Sequence, residues 1–412
     1  MKIQSITISL LLLLAWPITT QTQTLEELLS TAVENNLELK VLEKEHLAAL
    51  ERAPQVSQMP DPEVGAGGFP FPVETRLGPQ YLRLSATQML PWFGILGSKK
   101  DLELAKAKAL YERIGARELE LGYEVKLGYY RLYEIQQSQA IIRRNIAILE
   151  SLERLALAKV ESGKSTAADV LTVQLKIEEL EQELEILETA KVSPTVTINQ
   201  LLNRDLATPI TITDSLEYVV LPFNKAALLA DIEATHPMLR MFKLQQDISR
   251  QSISLNELNG KPSFGVGLDY IMVGKRDDAE PTNNGRDIVQ LRATVKIPLF
   301  REQYEAKERE ENLKIEALED QKEDVYTRFS AAIEKAYAEH ETARLRVELF
   351  ERQIGITEAA IRILQTDYST QGSNFDELLR LEKELIDYDL KMLKAVVQSH
   401  IAQSGIERFI IQ

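Results

Sequence analysis

The chain has 412 residues, of which 44% are apolar and 27% are charged, a composition typical of an ordered protein. Its net charge of −15 argues against a nucleic-acid partner, because phosphate contacts need clustered Lys and Arg. The sequence has no Cys, which excludes disulfides, thiolate metal sites, Cys nucleophiles and acylation at an N-terminal Cys. Only 6% of the residues are aromatic, and the abundance of Leu, Glu, Lys and Ala favours long helices.

Residues 1–23 have the pattern of a secretory signal peptide. Lys2 precedes an apolar run over 6–16, and polar residues follow Pro17. The apolar run is too short to cross a bilayer, and no later stretch approaches the roughly 20 apolar residues that a membrane helix needs. We therefore expect an exported mature protein without a transmembrane helix.

The first part of the mature chain alternates helical and extended segments. A helix is predicted over 24–52, and Pro54 is expected to end it. A β-hairpin follows over 61–93, with a turn-rich loop at 69–79 between its two strands.

A long helical hairpin is predicted next, over 98–203. Its outgoing helix runs without a proline to about residue 162, and its returning helix is expected to break near Pro194, before a short helix over 195–203. A short β-containing linker is predicted over 204–222.

The returning helix carries a coiled-coil seam that the chain repeats. Its apolar residues recur at steps of three and four, namely at Val170, Val173, Ile177, Leu180, Leu184 and Leu187. At one constant offset the same seam returns at Leu378, Leu381, Leu385, Tyr388, Met392 and Ala395. The turn before the seam also returns, because Ser165 corresponds to Ser373 and Asp169 to Glu377.

The repeat divides the mature chain into two units of the same plan. The first covers 24–222 and the second 223–412, with its own β-hairpin over 261–300 and helical hairpin over 302–412. The predicted fold is mainly α with a small β part, a helical hairpin attached to a β-hairpin, twice per chain.

The strands of the second β-hairpin alternate between apolar and polar residues. Phe264, Val266, Leu268, Tyr270 and Met272 share one face of the first strand, and Val289, Leu291, Ala293, Val295 and Ile297 one face of the second. Such alternation suits a membrane β-strand and equally a strand of a soluble sandwich. Four strands cannot close a barrel alone, since single-chain barrels start at about eight, so a membrane barrel requires several chains.

No motif indicates an enzyme, a cofactor site or a metal site. Gly163-Lys164-Ser165 ends like a P-loop, but Ala158 stands where that motif needs a glycine, and a helix precedes it instead of a strand. The four His are too scattered to share a metal ion, and no nucleophile, base and acid can be grouped.

Acidic residues at the start of the two returning helices are the remaining candidates. Asp169, Asp376 and Glu377 lie where the helix dipole favours carboxylates, which is a sufficient structural explanation. In a symmetric oligomer the same acids form rings around a pore, and rings of carboxylates make a constriction cation-selective.

The chain resembles the outer-membrane efflux channels of the TolC-like family over essentially its whole mature length. The resemblance rests on the repeat, on Asn36 and His236-Pro237, on the strand endings at 90–94 and 297–300, and on the second tip, 368–379. That tip begins with a Tyr and has the motif acid followed by two leucines, but it has Gln371 where the family usually has Gly, which comes one place later.

The resemblance implies a homotrimer with a twelve-stranded β-barrel in the outer membrane and a long α-helical tunnel in the periplasm. It implies a passive exit duct for metal ions or drugs, working with a periplasmic adaptor and an inner-membrane pump of the RND type. It assigns a gate to Asp169, Tyr368, Asp376, Glu377 and Arg380, and adaptor docking to Gly163, Ser165, Gln371, Gly372 and Ser373. The short chain is similar to the heavy-metal branch.

Two further functions compatible with helical hairpins are a periplasmic coiled-coil adaptor or scaffold and the outer-membrane duct of a type I secretion system. Adaptors usually have one helical hairpin, so the duplicated β-hairpins argue against the first. No residue identifies the cargo.

Overall fold

The computed structural model describes residues 24–222, 224–371 and 374–411, and of Gln371 only the backbone. The predicted signal peptide at 1–23 lies outside the described residues. The helices are α1 (Leu25–Asn35), α2 (Leu37–Leu50), α3 (Arg52–Val56), α4 (Ile95–Glu161), α5 (Ala167–Ala190), α6 (Val192–Leu201), α7 (Lys225–Thr235), α8 (Pro237–Asn259), α9 (Glu302–Gln371) and α10 (Phe375–Glu407). The strands are β1 (Glu63–Thr75), β2 (Gly78–Leu90), β3 (Ser263–Val273) and β4 (Ile288–Lys296).

The chain divides into two compact units that each combine distant parts of the sequence. One contains the described residues up to Asn35, with Glu124–Val220 and Glu339–Ser404. The other contains Asn36–Tyr123, the described residues from Leu221 to Ala338, and those from Gly405 onwards. The first is helical with a linker, and the second holds the four strands.

The two long helices are as predicted, and both are continuous. α4 has 67 residues and α9 has 70. Gly128 within α4 lies against α6, where an added Cβ would come within 2.8 Å of Cγ1 of Ile198. The lack of a side chain therefore lets these two helices pack closely.

The single helix expected over 24–52 is wrong, because the helix breaks at Asn36. Asn36 has an extended ψ of 126°, and its side-chain oxygen accepts hydrogen bonds from the backbone N–H groups of Glu38 (3.0 Å) and Leu39 (3.2 Å). It thus caps α2 and separates it from α1. Pro54 does not end this region either, because it lies within the first turn of α3, where a missing N–H costs nothing.

The corresponding break in the second half occurs at His236. Its φ of −60° and ψ of 128° nearly equal those of Asn36, and its Nδ1 accepts from the backbone N–H of Met238 at 3.2 Å. Pro237 then occupies the first position of α8, where its fixed φ is favourable. The two caps therefore have the same backbone geometry despite different side chains.

The four strands form one antiparallel sheet in the order β1-β2-β3-β4. The loop expected at 69–79 is wrong, since β1 continues to Thr75 and only two residues separate it from β2. Pro70 and Pro72 lie in β1 because it is an edge strand, where a missing N–H need not break a ladder. The β1–β2 register shifts between Gly68 and Val73, around these prolines. A longer loop, over 274–287, joins β3 and β4.

The linker 204–222 contains no strand, contrary to the expected β character. Side chains of the long helices bind its backbone instead. Gln136 of α4 donates to the carbonyl of Ile210 (2.9 Å) and accepts from the N–H of Ile212 (3.2 Å). His340 of α9 binds the carbonyl of Val219 at 2.7 Å. Because helix side chains satisfy these backbone groups, the extended segment needs no neighbouring strand.

The returning helix of the first hairpin breaks slightly earlier than predicted. α5 ends at Ala190, and α6 begins at Val192, so Pro194 lies in the first turn of α6 and not before the helix. Proline fits that position because the first turn has no intrahelical partner for its N–H.

Candidate functional site

The two helical hairpins meet in one apolar core, built on the predicted seams. The buried residues are Ile142, Leu149, Leu152, Ala156, Val170, Val173, Leu180, Ile361, Tyr368, Phe375, Leu378 and Ile386, from α4, α5, α9 and α10. Ile177, Leu184, Leu187, Leu381 and Leu385 pack against them. The heptad spacing therefore places the first seam inside the bundle, as the sequence predicted. Of the second seam, Leu378, Leu381 and Leu385 belong to this core, but Tyr388, Met392 and Ala395 do not, and Ile386, which the predicted seam leaves out, is buried in it. At one end of this core lie the last turns of α4 and α9, the turn at 162–166 and the first turns of α5 and α10, and we call this region the tip (159–169, 365–371 and 374–380).

The first turn of the tip reverses the chain through a left-handed glycine. Gly163 has a φ of +73°, and its N–H donates to the carbonyl of Val160 at 2.9 Å. A Cβ at this position would meet nothing within 4 Å, so the positive φ alone favours glycine here. Thr166 follows in extended conformation as the N-cap of α5.

Immediately before α10, Asn374 takes up the left-handed conformation, with a φ of +67°. Its carbonyl accepts from the N–H of Leu378 at 3.1 Å. Lys159 of α4 donates from Nζ to the carbonyl of Ser369 at 2.6 Å and so links the end of α4 to the end of α9. Of the predicted docking residues, Gly372, Ser373 and the side chain of Gln371 lie outside the described residues.

Tyr368 connects the two hairpins through its ring and its hydroxyl. It is fully buried, and its ring centroid lies 4.9 Å from that of Phe375. Its hydroxyl lies 3.2 Å from Oγ of Ser165. Burial raises the pKa of Tyr368, and the negative charge of Asp169 contributes to the same direction. The phenol is therefore neutral and available for hydrogen bonding.

Asp169 completes this chain of hydrogen bonds. Ser165 donates from Oγ to Oδ2 of Asp169, and Thr166 donates from Oγ1 to Oδ1 at 2.7 Å. Although partial burial opposes it, the hydrogen bonds from Ser165 and Thr166 lower the pKa of Asp169 below its ordinary value. The structure thus brings together three predicted site residues, Tyr368, Ser165 and Asp169, and makes Asp169 part of a capping box.

Glu377, the counterpart of Asp169 in the repeat, has different surroundings. It is exposed and forms a bidentate pair with Arg380, with Oε–N distances of 2.6 Å and 3.0 Å. Arg380 also contacts Glu384, four residues further along α10. The hydrogen bonds from Arg380 lower the pKa of Glu377. The two sequence-equivalent acids therefore both form hydrogen bonds with side chains of the same chain, but their partners differ.

The third acid, Asp376, is exposed in a groove between α5 and α10. The groove, of about 330 Å³, is lined by Thr172, Leu175, Lys176, Glu179, Asp376, Leu379, Arg380 and Lys383. Three cations, Lys176, Arg380 and Lys383, face two acids in this groove, so Asp376 lies in surroundings that are slightly positive and not in an acidic cluster.

Three residues of the tip were missed from the sequence. Thr166 could have been found, because Thr followed three residues later by Asp is a capping signature. Lys159 contacts Ser369 of α9 only after the two hairpins pack, and Phe375 contacts the ring of Tyr368 only after α10 folds back on α9. No local pattern indicates either contact.

The face of the sheet that carries the alternating apolar residues is a second candidate surface. Side chains at least 37% exposed are Val64, Leu84, Phe264, Val266, Leu268, Tyr270, Met272, Val289, Leu291 and Val295. They project from all four strands. Apolar area of this extent marks a surface that contacts another protein or a membrane.

Within the described residues, no group of three or more acidic or His side chains could hold a metal ion. Among the helices described, none is both long and apolar enough to cross a membrane.

No family model matches the sequence, and no curated protein does. Solved structures match in fold. The outer-membrane channel MtrE of Neisseria gonorrhoeae, in its open state, matches with a TM-score of 0.72 at 15% identity over 93% of this chain and 88% of that one. The outer-membrane channel CmeC of Campylobacter jejuni matches with a TM-score of 0.70 at 12% identity over 99% and 93%. CusC, which forms a transmembrane channel, matches with 0.72 at 14% identity over 94% and 92%. The chain therefore has the fold of these outer-membrane channels.

Proposed function

We propose that the chain is a subunit of a TolC-like outer-membrane efflux channel, a passive exit duct for metal ions or drugs. The exposed apolar face of the four-stranded sheet carries the proposal, because one strand face is apolar and the other polar, as a membrane strand requires. The fold shared with outer-membrane channels supports it.

The sheet also has two free edges, which suits assembly from several copies. β1 and β4 are the edge strands, and neither pairs with the other in one chain. Unpaired strand edges are templates for pairing with another chain. In the proposed homotrimer, three sheets close a twelve-stranded barrel in the outer membrane, and the helical hairpins extend into the periplasm.

The helical hairpins are proposed to carry the docking site for the partner proteins and the gate of the channel. In the two proposed repeats, 24–222 and 223–412, the helical hairpins end at the tip, where an adaptor protein and an inner-membrane pump of the RND type would connect. Gly163 and Ser165 are proposed for docking together with the residues at 371–373. Asp169, Tyr368, Asp376, Glu377 and Arg380 are proposed for the gate.

A charge placed on the apolar face should prevent insertion into the membrane. We expect Leu291→Arg to lose most of the trimer from the outer-membrane fraction, because an arginine facing lipid costs about 2 kcal/mol in each subunit. Gln290→Arg is the matched control, since it places the same side chain on the polar face one residue away. Heat-modifiable trimers on gels and pores in planar bilayers are the measurements.

A soluble periplasmic protein without conductance would refute the channel. Equal fractionation of Leu291→Arg and Gln290→Arg would refute the assignment of the apolar face to lipid, since the two variants differ only in the face that carries the charge.

A further prediction concerns the acids at the tip. We expect Asp169→Asn combined with Glu377→Gln to lower the cation-over-anion permeability ratio by about twofold, because fixed carboxylates favour cations. Arg380→Gln should raise the ratio, because it removes the cation that offsets Glu377. Reversal potentials in a salt gradient measure both. Unchanged values would mean that these acids only cap and pair within their helices.

A further inference from the structure

The polar face of the sheet carries three charged residues that form one cluster. Asp269 is on β3, between Arg83 of β2 and Arg292 of β4. The pairing register places all three on the same face of the sheet. Arg83 pairs with Ile271 and Arg292 pairs with Gly267. Ile271 and Gly267 are each two residues from Asp269 along β3, and residues two apart in a strand share a face. The cluster is therefore opposite to the apolar face.

The carboxylate in this cluster is hidden, whereas the guanidinium groups are not. Asp269 has no exposed side-chain surface, while the side chains of Arg83 and Arg292 remain 40% and 38% exposed. Nη2 of Arg83 donates to Oδ2 of Asp269 at 2.7 Å, and Nη2 of Arg292 lies 3.7 Å from Oδ1. One carboxylate and two guanidinium groups leave one net positive charge, and only positive groups face outwards.

Glycines beside the arginines allow this arrangement. Arg292 lies across Gly267, where a Cβ would come 3.3 Å from its Nε, and its Nη2 reaches Thr87 on β2 at 2.8 Å. Gly67 lies opposite Arg83 and leaves open space, since a Cβ there would meet nothing within 4 Å. Arg292 can therefore cross Gly267 to reach Thr87, whereas the space beside Arg83 stays open.

Two polar atoms of the cluster remain without a hydrogen bond in the structure. They are Oδ1 of Asp269 and Nε of Arg292, both buried. The long 3.7 Å contact between Arg292 and Asp269 compensates the first only partly. Asp269 already shares its charge with Arg83, so the positive charge of Arg292, whose side chain is 38% exposed, remains available to an anionic group on the polar side, although its buried Nε is not.

We propose that Arg83, Asp269 and Arg292 form an anion-favouring charge filter on the polar wall of the sheet, which faces the lumen of the channel. The proposal rests on the proposed channel function, since the lumen exists only when the sheets of several copies close. In each subunit the filter attracts anionic groups, such as the carboxylates of a solute or small inorganic anions. Its sign is opposite to that of the carboxylates at the tip.

The absence of Cys in the natural sequence permits a direct measurement of the local potential. A reporter Gln290→Cys lies on the polar face, directly opposite Asp269. Its modification rates by an anionic and a cationic methanethiosulfonate, measured in outer membranes, give a rate ratio that follows the local charge. We expect Arg292→Gln to lower the anion-over-cation ratio by about threefold, and the double variant with Arg83→Gln to lower it further.

Matched variants separate charge from structure. Arg292→Lys keeps the charge and should keep the ratio, whereas Asp269→Asn should raise it. A second reporter at the tip, Ser162→Cys, should show no change with any of these substitutions. If Asp269→Asn fails to assemble, the two Arg292 variants alone decide. An unchanged ratio in Arg292→Gln, or an equal loss in Arg292→Lys, overturns the charge filter.

Failure of the channel itself would give a different result. A reporter Leu291→Cys on the apolar face should be protected from both charged reagents by lipid. If it reacts as fast as Gln290→Cys, the sheet does not lie in a membrane, and the proposed function fails. If it is protected while the ratio at Gln290→Cys does not respond to Arg292→Gln, only the filter fails.

Discussion

Acidification from about pH 7.5 to about pH 5 should open the junction between α7 and α8 locally, because His236 must stay neutral there. Burial lowers the pKa of His236 to about 4, from an ordinary value of 6.5. The open state therefore binds a proton at a higher pH than the folded state. The stability that His236 contributes is complete above about pH 6.5 and is lost as the pH falls towards 4, on the order of 3 kcal/mol in total.

The contacts of His236 explain why a proton is costly. Nδ1 accepts the hydrogen bond from the N–H of Met238, and a protonated imidazole cannot accept it. The ring also packs against aromatic side chains, with centroid distances of 4.6 Å to Phe329 and 6.2 Å to Phe409. Protonation therefore removes the cap of α8 and places a charge in an apolar site.

The chain itself supplies the control variant, since Asn36 caps α2 with the same backbone geometry. His236→Asn should keep a cap that does not titrate, at the cost of the aromatic packing. Amide hydrogen exchange at 238–241, corrected for the intrinsic pH dependence, should become faster at low pH in the wild type and stay level in the variant. Equal pH dependence in both would show that another group controls this junction.

The sequence predicted those parts of the fold that repeat at short range. The seam of α5, the start of the seam of α10 and the alternation in β3 and β4 follow from periodicity, which is local. The break at Asn36 was missed because α1 and α2 have no helix-breaking residue between them, and an Asn within a helical pattern is not decisive. The extent of β1 was missed because prolines normally indicate a loop, and only its edge position makes them acceptable.

In the candidate site, too, contacts within one helix follow from the sequence, whereas contacts between the hairpins do not. The pairing of Arg380 with Glu377 and Glu384 follows from spacings of three and four on one helix, at which oppositely charged side chains are neighbours. The contact between Tyr368 and Ser165 joins residues of two different hairpins, so it depends on how the seams pack. The repeat suggested equal roles for Asp169 and Glu377, but their side-chain partners differ.

Tyr368→Ala should loosen the tip more than any other single substitution there. The fully buried ring fills the end of the apolar core against Phe375, and its removal leaves a cavity that costs about 3–5 kcal/mol. Tyr368→Phe keeps the ring and loses only the hydroxyl contact with Ser165, which costs about 0.5–1.5 kcal/mol. Amide exchange in 365–371 and 374–380 should rise strongly in the first variant and slightly in the second.

The same two variants test whether the packing at the tip also closes the proposed channel. In planar bilayers, Tyr368→Ala should raise the mean conductance or open probability, because the two hairpins lose their shared contact. Tyr111→Ala is the control for loss of an aromatic ring, since Tyr111 is 59% exposed and its removal leaves no buried cavity.

Amide exchange and conductance report different properties of the tip, its local stability and its closure. If exchange rises in Tyr368→Ala while conductance stays at the wild-type value, the tyrosine stabilises the hairpins without contributing to closure. If Tyr368→Phe alone raises the conductance as much as Tyr368→Ala, the hydrogen-bond chain through Ser165 to Asp169 closes the tip, and ring packing does not. The hydrogen-bond chain from Tyr368 to Asp169 runs through Ser165 and not through Thr166. Ser165→Ala should then reproduce the effect of Tyr368→Phe, whereas Thr166→Val should not.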